Sequence, residues 1–181
     1  MENVKEVGNV RKFSKVGLFV ENYDHLFSDF DSRPYSQKLL SEDLLNEINR
    51  VTKDKKDDEV ELKLFVPREK RNSSTERIIQ NRIKVYFKKH FILAQRSKRN
   101  ILWKGFLFSL SGVLFMVLAT FFITRESQNP FIIFLSVLFE PAGWFSFWEG
   151  LNLMIFESKS KSKHLPFYKR MSVAKISFEN S

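Results

Sequence analysis

The chain has 181 residues, with 30 Lys or Arg against 21 Asp or Glu and no cysteine. Without cysteine there are no disulfides and no thiolate metal sites, and His25, His90 and His164 are too far apart to show ligand spacing, so neither metal nor cofactor is expected. The mean hydropathy of the whole chain is negative, but this average hides two apolar stretches diluted by charged flanks.

Residues 1–15 are short of large apolar side chains and read as a loose terminus. Val16 to Val20 (VGLFV) reads as a strand. From Glu21 to Leu40, Tyr23, Leu26, Phe27, Phe30 and Tyr35 are scattered among Asp and Ser, the pattern of an extended segment pinned by aromatic contacts. Ser41 is placed to cap a helix whose first turn, Glu42 and Asp43, suits the positive end of the dipole, with Leu44, Leu45, Ile48 and Val51 on one face. Lys53 to Glu59 reads as a charged, solvated turn.

Val60 to Val66 alternates, with Val60, Leu62, Leu64 and Val66 on one side, and stops at Pro67, which predicts a strand. Ser73 with Glu76 has the spacing of a capping box, and Ile79, Ile83, Tyr86, His90 and Leu93 follow at helical intervals. No Pro or Gly intervenes before Gly105, so this helix either continues into the first apolar stretch or bends near Arg99 and Asn100. Between Arg77 and Lys104 there are nine Lys or Arg and no acid, whereas residues 1–76 are nearly balanced. The basic excess therefore sits directly beside the apolar stretch.

Phe106 to Ile123 carries no formal charge, and its length of about 27 Å as a helix is close to a bilayer's hydrocarbon thickness. Residues 101–124 and 131–156 are expected to form two transmembrane helices joined by a turn at 125–130. A long charged segment precedes the first of them, so it is expected to act as the insertion signal in place of a cleavable leader. The outer flanks hold Lys84, Lys88, Lys89, Arg96, Lys98, Arg99 and Lys104 on one side and Lys159, Lys161 and Lys163 on the other, whereas the turn holds only Arg125. The positive-inside rule then places both termini in the cytoplasm of a multi-pass inner or plasma membrane protein. The same basic residues are the expected contacts for anionic lipid headgroups, each contributing about 1 kcal/mol. A nucleic-acid partner is not expected, because no recognition motif accompanies the charge.

The second stretch contains Glu140, Pro141, Gly143, Trp144, Trp148, Glu149 and Asn152. Pro141 should kink the helix. Ser136, Glu140, Gly143, Phe147 and Gly150 follow a four-three repeat, as do Gly105, Ser109, Gly112, Met116 and Ala119. Stripes of small side chains allow close backbone approach, so these are expected to form the hairpin's seam. In that arrangement Glu140 would lie near Gly112, with Ser109 or Ser111 supplying a hydrogen bond. Glu140 is then a protonated packing residue, with a proton or ion path and an oligomer contact as alternatives. Trp144, Trp148, Glu149 and Asn152 mark the cytoplasmic interface more naturally than an aromatic ligand cage.

Residues 157–181 are basic and then alternate from Met171 to Phe178, which reads as a strand returning to pair with the Val60 strand. The fold class expected is α+β: a two-helix transmembrane hairpin with a cytoplasmic domain (16–100) of about three strands and two helices, its last strand supplied by the C-terminus. No phosphate loop, HExxH, GxSxG or Ser, His and Asp grouping is present, so an enzyme is not expected.

The Leu26, Phe27, Phe30, Asp31 and Pro34 segment, the strand closing on Val66 and Pro67, the basic helix entering the first span, the Gly143, Trp144, Trp148 and Glu149 signature and the terminal strand together resemble an uncharacterised group of prokaryotic two-pass membrane proteins. The resemblance covers the chain from about Leu26 onward and implies architecture only. On these grounds the expected role is a scaffold, anchor or regulatory subunit with an unknown cytoplasmic protein partner and a tendency to homo-oligomerise. The alternative is a small oligomeric channel using Glu140.

Overall fold

The computed structural model describes residues 13–53, 59–125 and 129–181. The chain is α+β and divides into two compact units, Met1–Phe91 with Pro166–Ser181, and Ile92–Leu165.

The first unit is built on a three-stranded parallel sheet of order β1 (Phe13–Phe19), β2 (Glu59–Val66) and β3 (Lys175–Asn180). Val16 pairs with Leu62 and Leu62 with Ile176; Leu18 pairs with Leu64 and Leu64 with Phe178. Residues in register share a face, so these six form one apolar surface, and Val60, Leu62, Leu64 and Val66 of the central strand are all buried. The opposite face carries Lys15, Gly17, Phe19, Glu61, Lys63, Phe65, Lys175, Ser177 and Glu179, none of them fully buried. Both crossovers step the same way across the sheet, and connections of one handedness that do so lie on the same side. This accounts for a parallel sheet whose covering elements, among the described residues, lie on one face, where most parallel sheets are covered on both. Lys63 to Glu179 (2.5 Å) and Lys175 to Glu61 (3.5 Å) tie neighbouring strands on the open face.

The covered face receives α1 (Glu42–Lys53) through Leu44 and Ile48, and α2 (Ser73–Ile123) through Ile79, Ile83 and Phe87. The four-residue spacing of these last three keeps them on one stripe. Ser41 Oγ accepts from the Leu44 amide at 3.1 Å, as its position predicts for an N-cap.

Several expectations are corrected. The α2 cap is Asn72, whose Oδ1 accepts from the Ser74 and Thr75 amides, both at 3.1 Å; the Glu76 carboxylate is occupied elsewhere, so no capping box forms. Met171 and Ser172, expected to open the terminal strand, instead end a helix, α5 (Leu165–Ser172), because Phe167 and Met171 are one turn apart and both enter the core; β3 begins only at Lys175. β1 begins three residues earlier than its apolar run and ends at Phe19. The 21–40 segment contains a 3-10 turn, Tyr23–Leu26, and then a loop closed by the Phe27–Leu40 bridge. Phe27 packs on Tyr35 at 5.3 Å, but Phe30 is fully exposed and pins nothing. Of the loose terminus expected over 1–15, residues 13–15 belong to β1 and 1–12 lie outside the described residues, as do most of the charged turn (54–58) and the middle of the interhelical turn (126–128).

The second unit contains α2 from Ile92 onward, α3 (Pro130–Asn152), a π-helical turn (Leu153–Glu157) and α4 (Ser158–Lys161). α2 is one uninterrupted helix through Arg99 and Asn100, consistent with the lack of any breaker. Asn129 caps α3 through a 3.0 Å bond from the Phe131 amide, and Pro130 occupies the first turn, where its missing N–H costs nothing. Both long helices are long and apolar enough to cross a membrane.

Candidate functional site

The second unit's interior is a seam of small residues. A β-carbon placed on Gly112 would lie 2.5 Å from the Phe147 amide nitrogen and 2.7 Å from the Gly143 carbonyl oxygen. One placed on Gly105 would lie 2.8 Å from the Gly150 carbonyl oxygen, and one on Gly150 would be 2.5 Å from the Ser109 amide nitrogen. No real β-carbon fits at such distances, so close backbone approach requires these glycines. Seven residues forward on α2 match seven residues back on α3, as an antiparallel pair demands. Ala119 and Ser136 are also buried, and Met116 touches Gly143. Phe139 stacks on Phe115 at 5.6 Å and on Phe122 at 5.9 Å beside the seam.

Glu140 is not assembled with the serines. It is exposed, and no described residue hydrogen-bonds or ion-pairs with it. Ser111 Oγ donates to its own helix at the Phe108 carbonyl, 2.8 Å away, and the buried Ser109 Oγ lies against Gly150. The reason is register: Gly112 faces Gly143, and Phe139 is level with Phe115, so residue 140 falls about one turn from the predicted height and on the seam's flank. Pro141 is likewise exposed, inside a helix that continues across it.

The polar end of α3 has a different character. Trp144 and Trp148 are exposed, and the Asn152 Nδ2 donates to Glu149 Oε2 at 3.4 Å. Phe145, Trp148, Glu149, Leu151, Asn152, Ile155 and Phe156 line a notch of about 340 Å³ at the junction with the π turn. Trp103 packs edge-on against Phe106 at 5.6 Å on α2. Of the basic residues, Arg96, Arg99, Lys104, Lys159, Lys161 and Lys163 are exposed and Lys98 is half-buried in the second unit, while Lys84, Lys88 and Lys89 are exposed in the first. None of them forms an ion pair with a described residue.

The first unit holds a polar cluster that sequence reasoning missed. Glu76, 6% exposed, accepts from Tyr23 Oη (2.9 Å) and from Arg71 Nε and Nη2 (both 2.9 Å). Arg71 also donates to Asn180 Oδ1 (2.7 Å) and the Phe178 carbonyl (3.3 Å), and Tyr23 Oη accepts from the Asn72 amide (3.0 Å). The guanidinium holds the Glu76 carboxyl below its ordinary value, and burial raises the Tyr23 phenol. The cluster joins the Tyr23–Leu26 turn, the start of α2 with the two residues before it, and the end of β3, segments mostly distant in sequence, so no local pattern announces it.

A second polar device closes the 28–39 loop. Asp31 accepts from Arg33 Nε (2.9 Å), Arg33 Nη2 (2.7 Å) and the Leu39 amide (2.7 Å), and the paired guanidinium keeps its carboxyl well below the usual range. These contacts tie together a loop that carries the exposed Phe30. Among the described residues no group of three or more His, Asp or Glu side chains is placed to hold a metal. The chain matches no protein-family profile, no curated protein and no solved structure.

Proposed function

We propose that this chain is a two-pass integral membrane protein acting as a scaffold, anchor or regulatory subunit, with the α+β unit and both termini in the cytoplasm. The observation that carries the reading is the outer surface of the second unit. Leu107, Leu114, Val117, Phe134 and Val137 are each more than half exposed, and only 17% and 11% of the most apolar windows of the two helices are buried. Soluble monomers rarely expose apolar patches beyond a few hundred Å². A bilayer removes that conflict, and it also supplies a reason for the glycine seam, because helices in lipid associate by close packing.

The orientation rests on the charge asymmetry, with Lys and Arg flanking the outer ends of both helices. The side chains named above, exposed apart from the half-buried Lys98 and not ion-paired with any described residue, suit an anionic headgroup layer. With no constellation for bond making or breaking identified, the α+β unit is read as a docking module for a cytoplasmic protein.

A cysteine-free chain makes the test direct. Single cysteines replacing Thr124 and Ser160 should label with an impermeant maleimide from opposite sides of intact cells or spheroplasts, Thr124 from outside. Release of the protein by alkaline carbonate, or labelling of both positions from one side, overturns the reading.

Glu140 supports a second reading. An exposed carboxylate with no partner among the described residues, in the middle of α3, suits an oligomer in which copies bring these side chains to a shared path. Reconstituted protein should then conduct protons or ions, and Glu140→Gln should abolish the conductance. A silent wild type under an imposed gradient removes this alternative.

A further inference from the structure

The notch at the junction of α3 and the π turn combines three features. Its walls are apolar and strongly exposed, with Phe145, Trp148, Ile155 and Phe156 each more than half accessible. Its volume of about 340 Å³ lies within the range of about 300–1,000 Å³ usual for small-ligand sites. Its polar lining pairs an amide, Asn152, with one carboxylate, Glu149, whose sole protein partner among the described residues is that neutral amide at the long distance of 3.4 Å. Lys and Arg are plentiful in the sequence, yet no described one pairs with Glu149.

A carboxylate and an indole that line one notch are complementary to an ammonium group, which can gain a charge-assisted hydrogen bond from the first and a cation–π contact from the second. The π turn adds an extra residue to the helix at this point, a distortion frequent at functional sites. We propose that the notch binds an aminophospholipid of the phosphatidylethanolamine type, its ammonium held between Glu149 and Trp148 and the start of an acyl chain lying along Phe145, Ile155 and Phe156. Asn152 positions the carboxylate through its amide. A membrane helix presenting a lysine would meet the same charge, but the notch is sized for a headgroup and chain segment, and a helix would have to cover the whole exposed face.

The inference rests on the membrane reading above, and the two fail separately. The full-length protein, purified in a neutral detergent with Trp103 and Trp144 replaced by Phe, leaves Trp148 as the single indole. Titration with a short-chain phosphatidylethanolamine should give a saturable change in Trp148 emission that phosphatidylglycerol does not give. Glu149→Gln should weaken the response about tenfold or more, as loss of a charged hydrogen bond predicts, and Glu149→Asp should recover most of it. Equal responses to the two lipids, or an unchanged response in Glu149→Gln with an unaltered thermal melt, overturn the site while carbonate resistance leaves the membrane reading standing. Co-purification of a stoichiometric partner helix that already shields Trp148 also overturns it.

Discussion

Gly112 and Gly143 meet backbone to backbone: each would place a β-carbon within 3.0 Å of main-chain atoms of the facing helix. This contact sets the register of the second unit and decides which side chains face outward, including Glu140 and the residues of the notch.

Enlarging Gly112 should therefore separate the helices. Gly112→Val is expected to cost about 1–3 kcal/mol through overpacking, because the obstructing atoms are backbone and cannot move aside. Leu110→Ala, on the exposed side, should change stability by less than about 0.5 kcal/mol. Thermal unfolding of the two variants in mild detergent compares them, and equal melting temperatures would falsify the seam's role.

Glu76 links stability to pH. Its carboxyl is held below the ordinary value by Arg71, so its contribution is full above about pH 5, beyond the unfolded value of about 4.3, and is lost as pH falls through the lowered folded value. Glu76→Ala should cost about 1–3 kcal/mol at neutral pH, discounted because Arg71 still reaches water. The Arg71→Ala, Glu76→Ala double variant should lose less than the sum of the single variants. Chemical unfolding at pH 7 and pH 4 measures both effects; a parent and variant that lose stability in parallel on acidification would contradict the assignment.

Phe87 is wholly buried, edge-on to Phe167 at 5.7 Å, and so joins α2 to α5 within the first unit. Phe87→Ala is expected to cost about 3–5 kcal/mol. Because β3 follows α5 directly, limited proteolysis should then release a C-terminal fragment that remains intact in the parent.

Phe30 and Asp31 are neighbours with opposite expectations. Phe30→Ala removes a fully exposed ring and should leave stability within about 0.5 kcal/mol. Asp31→Ala removes the acceptor that fixes Arg33 and the Leu39 amide, so hydrogen exchange across 28–39 should accelerate while the sheet stays protected. A loop equally protected in both variants would show that the carboxylate does not order it.

How far the sequence could be read depended on the range of the signal. Alternation in Val60 to Val66 and the Ser41 cap are local, and both elements form where predicted. The four-three stripes fixed which positions are small, and the facing glycines are found opposite one another. Local patterning failed at Leu165–Ser172, where Pro166 and basic residues obscure a helix held by Phe167 and Met171 against the core. It failed at Ser73 too, because two residues competed for one cap and Glu76 was drawn to Arg71 and Tyr23.

By itself the sequence determined where apolar surface is continuous, where charge accumulates and which strands alternate, since each of these follows from neighbours along the chain. Only the tertiary structure decided the parallel order of the sheet, the one-sided burial that follows from it, and the register that separates Glu140 from Ser109 and Ser111. A helix's periodicity defines its faces but not its axial offset against a partner, and that offset is chosen by which side chains are small enough to let two backbones touch.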